Sequence, residues 1–155
     1  MADMQAMRAY ATIIAMMDND NLKYARDDEN LHIDLGFDTD DLEVKIKFVI
    51  DEERELVRVF SFLPFKFPED KRVEGAVATC VANHGMVNGS FDYDFSDGEL
   101  LFKLVNSYKG DSFSEEAARY MLGVSVSTVD NYNDRFFALA KGLMSLSVFV
   151  DKENS

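Results

Sequence analysis

The 155-residue chain has few of the residues that build disulfide frameworks, flexible linkers or basic surfaces. Its single cysteine excludes an internal disulfide, and eight glycines with two prolines are too few for a linker-rich protein. No apolar run approaches the roughly 20 residues that cross a bilayer. Lysine and arginine total 16 against 29 acidic residues, and the net charge of -13 repels phosphate. Nucleic acid and membrane surfaces are therefore disfavoured as partners.

Apolar side chains are abundant, at 47% of the chain with 13 phenylalanines and six tyrosines. This content and length predict one folded domain over residues 1–155 rather than a disordered chain. The apolar run at residues 10–17 ends in Asp18, Asn19 and Asp20 instead of a small-residue cleavage site. We therefore expect no secretory signal and a cytoplasmic protein.

Apolar periodicity predicts the N-terminal elements. A stripe at helical spacing predicts an amphipathic helix that ends near Asp18; its members are Met4, Met7, Tyr10, Ala11, Ile13, Ile14 and Met17. Residues 31–37 and 42–50 alternate apolar with polar residues, which predicts two antiparallel strands joined by a turn at residues 38–41. A short strand near residues 22–26 is expected to precede them.

Residues 55–62 are apolar at both alternating positions, which predicts a strand that is covered on both faces. Pro64 and Pro68 follow, and we expect the sheet to end at the first of them because proline donates no ladder hydrogen bond. From Glu69 the spacing becomes helical again, with Gly85 as a left-handed C-cap. The predicted inward side of this helix comprises Val73, Ala76, Val77, Cys80, Val81 and His84.

Asp97 and Gly98 predict a β-hairpin with a two-residue turn, because both central positions of a type I′ turn need positive φ. This register pairs Phe95 with Leu100, Tyr93 with Phe102 and Phe91 with Leu104. A three-residue loop would place Phe95 opposite Glu99 and lose most apolar cross-strand pairs.

The spacing of Ser112 and Glu115 predicts a capping box before a helix that reaches Leu122, and a second stripe continues to Met144. The C-terminal third is therefore predicted as one long helix or two consecutive helices. The complete order predicts an α+β fold: helix, three-stranded antiparallel sheet, helix, β-hairpin and C-terminal helix or helices.

No constellation of residues indicates catalysis, a cofactor or a metal. Asp92, Asp94, Ser96 and Gly98 begin like a calcium loop, but its sixth and twelfth positions are not the required glycine and glutamate. The acidic segments at residues 18–21 and 38–41 are predicted to be turns. His32 and His84 lack zinc-ligand spacing.

Cys80 and His84 lie one helical turn apart, which would suit an activated thiol. Val77 and Val81 flank the cysteine, however, and we predict a buried, inert thiol. Phosphate-binding glycine loops and the nucleophile motif G-x-S-x-G are absent from the sequence. We therefore expect no enzyme.

Several short segments resemble the YbjN family, bacterial proteins proposed to regulate sensory transduction. They are Asn83, residues 88–92 (NGSFD), residues 97–99 (DGE), residues 128–132 (TVDNY) and residues 140–142 (AKG). The likeness covers most of the chain in element order and is close over residues 83–142. It implies a fold similar to type III secretion chaperones, which are typically small, acidic cytosolic dimers that hold an extended partner segment against their sheets.

Two functions remain open. The first is a non-enzymatic protein-interaction module, a regulator or chaperone-like binder that acts as a homodimer. The second is a small enzyme or ligand-binding domain with a site assembled from scattered Cys, His and Asp residues. A polar pocket beside Cys80 would favour the second, and a broad exposed apolar strip would favour the first.

Two sets of apolar residues are predicted to form surfaces. Aromatic crowding around the proline-bounded strand end predicts a partner-binding surface at Phe60, Phe62, Phe65 and Phe67, unless all four fill the core. Apolar residues surround the last helix instead of forming one stripe, which predicts a dimer interface at Leu143, Leu146, Phe149 and Val150.

Overall fold

A computed structural model describes residues 2–39 and 42–154 of the chain. Its elements in chain order are α1 (Met4–Asn19), β1 (Ala25–Asp27), β2 (His32–Asp38), β3 (Glu43–Asp51), β4 (Leu56–Lys66), α2 (Arg72–Asn83), β5 (Ser90–Asp94), β6 (Glu99–Ser107), α3 (Glu115–Ala140) and α4 (Leu146–Asn154). The predicted α+β class and element order are confirmed. The C-terminal third forms two helices, the first of 26 residues.

The strands form one antiparallel sheet of six in the order β1-β2-β3-β4-β6-β5. The prediction of a three-stranded sheet beside a separate hairpin was therefore wrong. The free edge of β4 pairs with β6 from Leu56 to Phe62, and this pairing brings the hairpin into the same sheet.

Alternate strand residues point into the core, where α1 and α3 contact the sheet. The inward residues include Ile46 and Phe48 on β3, Val57 and Val59 on β4, and Phe102 on β6, each at most 1% exposed. Their partly or fully exposed neighbours point to the opposite face. The fold is thus a layer of helices on one side of a six-stranded sheet.

Helix α1 is rotated relative to the predicted stripe. Met4 and Met7 are 72% and 55% exposed, whereas Ala6 and Ala9 are buried. This side of α1 packs on α3 and on the turn at Lys109–Asp111, and alanines allow the close approach that methionines would prevent.

Strand β4 passes through Pro64 and continues to Lys66, so the prediction that the sheet stops at the proline was wrong. The register of β4 against β6 shifts between Phe62 and Lys66, and Pro64 is exposed within this irregular segment. A bulge is one of the few places where a strand tolerates a residue without an N–H.

The hairpin between β5 and β6 closes two residues earlier than the predicted turn. Asp94 pairs with Glu99, Tyr93 with Leu100 and Phe91 with Phe102. The four-residue loop is held by local bonds, since Gly98 donates from its N–H to the carbonyl of Asp94 at 2.7 Å. The two-residue turn was therefore wrong, although a shift of two residues leaves each side chain on its predicted face.

Helix α2 buries a side that differs from the predicted one. Gly75, Ala78, Thr79 and Ala82 face the core, and a Cβ at Gly75 would lie 2.6 Å from the Tyr93 hydroxyl and 2.8 Å from the Phe67 ring. Only small residues permit this approach, so the larger residues turn outward. Val73 and Val77 are 65% and 40% exposed, and Cys80 is exposed too.

Candidate functional site

Within residues 2–39 and 42–154, no helix packs on one face of the sheet. Among the described strand residues that point to this face, none is buried. We call it the open face. The prediction that β4 is covered on both faces was therefore wrong, because Val57 and Val59 on one face are buried whereas Phe60 and Phe62 on the other are partly exposed.

Phe60 and Phe62 lie at the centre of the open face on β4, half-buried, with ring centroids 6.4 Å apart. We call them the aromatic pair. Phe62 sits between Lys45 on β3 and Leu101 on β6, and Phe60 sits between Lys47 and Lys103. Three more apolar residues extend this patch: Val49, Leu56 and Val105.

Cations surround the aromatic pair on three sides. Lys45 and Lys47 lie on β3, Lys103 lies on β6, and Arg58 precedes the pair on β4. The Arg58 guanidinium lies 4.8 Å from the centroid of the Phe60 ring, within the range of a cation–π contact. The cations are thus immediate neighbours of the aromatic rings in a chain of strongly negative net charge.

Carboxylates lie next to three of these cations. Lys47 lies 3.7 Å from Asp34, and Lys103 lies 3.6 Å from Asp92. Arg58 lies 3.4 Å from Asp51, whose side chain is 9% exposed. Desolvation raises the pKa of the Asp51 carboxyl, but hydrogen bonds from Arg54 and the charge of Arg58 outweigh it and lower the pKa overall.

Two depressions lie toward the Phe62 end of the open face. One of about 180 Å³ is bounded by Phe62, Pro64 and Lys66. The other, of about 380 Å³, lies beside Lys45, where Gly36 on β2 contributes no side chain. The open face is therefore not flat, and its depressions can accept side chains from another molecule.

The structure divides the four phenylalanines that the sequence groups together. Phe60 and Phe62 lie on the open face, but Phe65 and Phe67 point to the helices. The Phe65 ring packs edge-on against Phe137 at 5.4 Å. Phe67 is fully buried and does not reach the surface. A strand places alternate residues on opposite sides, and β4 keeps this alternation through its irregular segment.

The predicted dimer residues also differ in their positions. Phe149 is fully buried, with its ring 5.2 Å from that of Phe136. Leu143 is 78% exposed, and Leu146 and Val150 are half-buried. An ion pair between Arg135 and Glu153 joins α4 to α3. The four residues therefore do not form one exposed surface.

A polar cleft of about 680 Å³ lies between the end of α2 and the middle of α3. Its lining includes His84, Ser127, Asp130 and Asn131, but not Cys80. No group of three or more histidine, cysteine or acidic residues within the described ranges could hold a metal ion. Cys80 is exposed, which corrects the prediction of a buried thiol.

The acidic turn after α1 makes protein contacts. Asp20 accepts two hydrogen bonds from Arg119 at 2.8 and 2.9 Å, and the hydrogen bond from that guanidinium lowers the pKa of its carboxyl. Asp18 accepts from the Tyr24 hydroxyl. In the second predicted acidic turn, Asp40 and Asp41 lie outside the described residues.

Asn83 protects the edge strand β5, a role that periodicity did not predict. Its side-chain amide accepts from the N–H of Phe91 at 2.7 Å and donates to the carbonyl of Phe91 at 3.0 Å. The amide thus replaces a neighbouring strand at this residue, which hinders pairing with another chain. An asparagine at a helix end shortly before an edge strand was the available signal.

Solved structures with a similar fold are known. One is a chain of "Crystal Structure of the ExsC-ExsE Complex", with a TM-score of 0.62 and 13% identity, covering 83% of this chain and 93% of that chain. Another belongs to "Structure of the HopA1-SchA Chaperone-Effector Complex", with a TM-score of 0.59 and 11% identity, covering 86% and 99%. The predicted type III secretion chaperone-like fold is confirmed. These identities show the fold alone.

Comparison by sequence adds nothing to this result. No protein-family model matches the chain, and no curated protein matches it. The resemblance to the YbjN family is therefore not shown. None of the helices in residues 2–39 and 42–154 combines the length and the apolar content of a membrane-spanning segment.

Proposed function

We propose that the protein is a non-enzymatic, chaperone-like module that binds another protein on the open face of its sheet. The observation that carries this proposal is the aromatic pair, which lies half-exposed at the centre of a sheet face without a covering layer. Aromatic residues at the centre of a surface supply much of the binding energy in protein interfaces. The similarity to a chaperone in a complex with its effector supports the same function.

The finer parts of the proposal are a cytoplasmic location and a YbjN-like regulatory role. A protein that binds a regulator and releases it in response to a signal would have such a regulatory role. The resemblance to the YbjN family over residues 83–142 supports this part of the proposal. Deletion of the gene in the source cell, followed by measurement of transcript levels, tests regulation separately from binding. Unchanged transcripts would leave a binder without a regulatory role.

Binding of a partner on the open face is tested by replacing both phenylalanines of the aromatic pair. Affinity capture from the source cell with quantitative mass spectrometry compares the wild type, Phe60→Ser/Phe62→Ser, and Tyr120→Ser. Tyr120 is 55% exposed on α3, so it controls for loss of an exposed aromatic residue on the helix side. Circular dichroism checks that the variants fold. We expect the double variant to lose a partner that the control retains, and retention by a folded double variant would contradict the proposal.

We also propose a homodimer that forms through the helix layer. Val73 and Val77 are one turn apart on the exposed side of α2, and Leu143 is exposed after α3. Such apolar residues would be covered by a second copy. Light scattering should report a dimer for the wild type and a monomer for Val77→Glu. A wild-type monomer at high micromolar concentration would contradict this state.

A further inference from the structure

We propose that the open face binds one amphipathic helix of a partner, with acidic residues on both sides of its apolar stripe. This inference rests on the proposed function and adds the shape and charge of the bound segment. Its basis is the arrangement of Lys47 and Lys103 on either side of Phe60.

The width of the surface matches one helix. Neighbouring strands lie about 4.8 Å apart, so the cations on β3 and β6 lie about 5 Å to either side of the aromatic pair. The carboxylates of Asp34 on β2 and Asp92 on β5 lie about twice as far away, and Glu43 on β3 and Glu99 on β6 lie beyond Phe62 along the strands. A helix with its side chains is about 10 Å wide, so it reaches the lysines without covering the outer carboxylates. A single extended strand that lies on the aromatic pair directs its side chains alternately toward the sheet and away from it, so none of them points sideways to the cations on β3 and β6.

The length of the surface is also sufficient. From Leu56 to Phe62 the strand advances six residues, or about 20 Å at 3.3 Å per residue. A helix of about 13 residues spans this distance. Its apolar stripe would lie over the aromatic pair, Leu56 and Leu101, and the depression bounded by Phe62, Pro64 and Lys66 would receive one of its larger side chains.

A second copy of this chain fits the open face poorly. A twofold axis that lies in the plane of the interface and passes through the aromatic pair, along or across the strands, would place β3 over β6 of the second copy or over its own equivalent. In the first arrangement Lys47 meets Lys103, and in the second Lys45 meets Lys47. Like charges oppose each other in both cases, whereas glutamates on a partner helix would oppose every cation.

The ion pairs that these lysines already form are weak, so a partner helix can replace them. Lys47 and Asp34 are 3.7 Å apart with side chains 37% and 54% exposed, and Lys103 with Asp92 is similar. Exposed pairs of this kind contribute little to stability. Lys45 forms no ion pair with any described residue and is exposed beside Phe62. Carboxylates on a bound helix would gain these cations as partners.

Two synthetic peptides test the inference. Both are stapled helices of about 14 residues with the same leucine stripe, one flanked by glutamates and the other by lysines. Fluorescence anisotropy measures the Kd of each for the full-length protein, and amide chemical shifts locate the bound peptide. We expect the acidic peptide to bind at Phe60 and Phe62 at least tenfold more tightly than the basic peptide, with an affinity that falls as salt rises.

Charge reversal provides the matched comparison. Lys47→Glu/Lys103→Glu should weaken the acidic peptide at least tenfold and strengthen the basic one. Lys23→Glu/Lys109→Glu changes the net charge equally outside the open face and should alter neither Kd by more than about twofold. Equal binding of the two peptides, binding of neither, or binding unaffected by the first double variant would overturn the inference. If any of these results were obtained while capture of a partner still required Phe60 and Phe62, the proposed function would stand and only the amphipathic-helix inference would fail.

Discussion

Cys80 illustrates how one small residue determines the position of another. Because Gly75 brings α2 close to Phe67 and Tyr93, the helix turns Cys80 to solvent. We expect Ellman's reagent to label native Cys80 within seconds to minutes, and Cys80→Ala to change the free energy of unfolding by less than about 0.5 kcal/mol. Thr79→Cys in a Cys80→Ser background places the thiol on the buried side and should react much more slowly. Equal rates would show that α2 is oriented differently.

Spacing alone did not predict this orientation. Val73, Val77 and Val81 form a regular apolar stripe, and such a stripe ordinarily faces the core. The opposite side of α2 carries Gly75 and Ala78, whose small size matters only because Phe67 occupies the space beside them. Phe67 directly follows β4, and its position depends on the tertiary fold. A sequence pattern identifies the helix but not this contact.

At the scale of elements, the loop between β5 and β6 is fixed by a contact with Phe67, the residue that follows β4. Gly98 has a φ of 80°, and its carbonyl accepts a hydrogen bond from the N–H of Phe67 at 2.9 Å. A Cβ at Gly98 would collide with the Phe67 backbone. The sequence predicted a tight turn at Asp97 and Gly98, but it did not predict that Phe67 contacts this turn. Alternation therefore predicted which residues share a face, while the register required tertiary information.

The same contact predicts unequal effects for two glycines with positive φ. Gly98→Ala should lower the free energy of unfolding by about 2 kcal/mol or more, because backbone strain and a collision add together. Gly110 has a φ of 64° with open space around it, so Gly110→Ala should cost about 1 kcal/mol from strain alone. Urea denaturation of both variants measures the difference. Similar losses would mean that the contact between Gly98 and Phe67 contributes nothing.

At the scale of the whole molecule, the sequence predicted the class and order of elements but not the open face. Val57 and Val59 on one side of the strand, with Phe60 and Phe62 on the other, predict a central strand that is covered on both faces. Its neighbours instead supply Lys47 and Lys103, and the aliphatic parts of lysine side chains can shield aromatic rings while their charges stay in water. Cross-strand register, which places these lysines beside the rings, is not readable from one strand.

The stability of the whole molecule should fall in alkali through Tyr10. Its hydroxyl donates to Asp28 at 2.9 Å and joins α1 to the segment before β2. Burial, followed by the bond to Asp28, raises the pKa of Tyr10 to about 12. The unfolded chain loses this proton near pH 10, so the contribution of Tyr10 is complete below pH 10 and disappears as the pH rises to about 12.

The expected loss is of the order of 2 kcal/mol over that interval. Tyr10→Phe removes the titrating group, so its free energy of unfolding should fall less steeply between pH 10 and 12 than that of the wild type. It should also be lower than the wild type at pH 7 to 9, because the bond to Asp28 is absent. Urea denaturation at each pH measures the free energy of unfolding of both proteins. The difference between them at pH 7 to 9, where Tyr10 is protonated, is the reference for the change above pH 10. Parallel curves above pH 10 would show that another group controls alkaline unfolding.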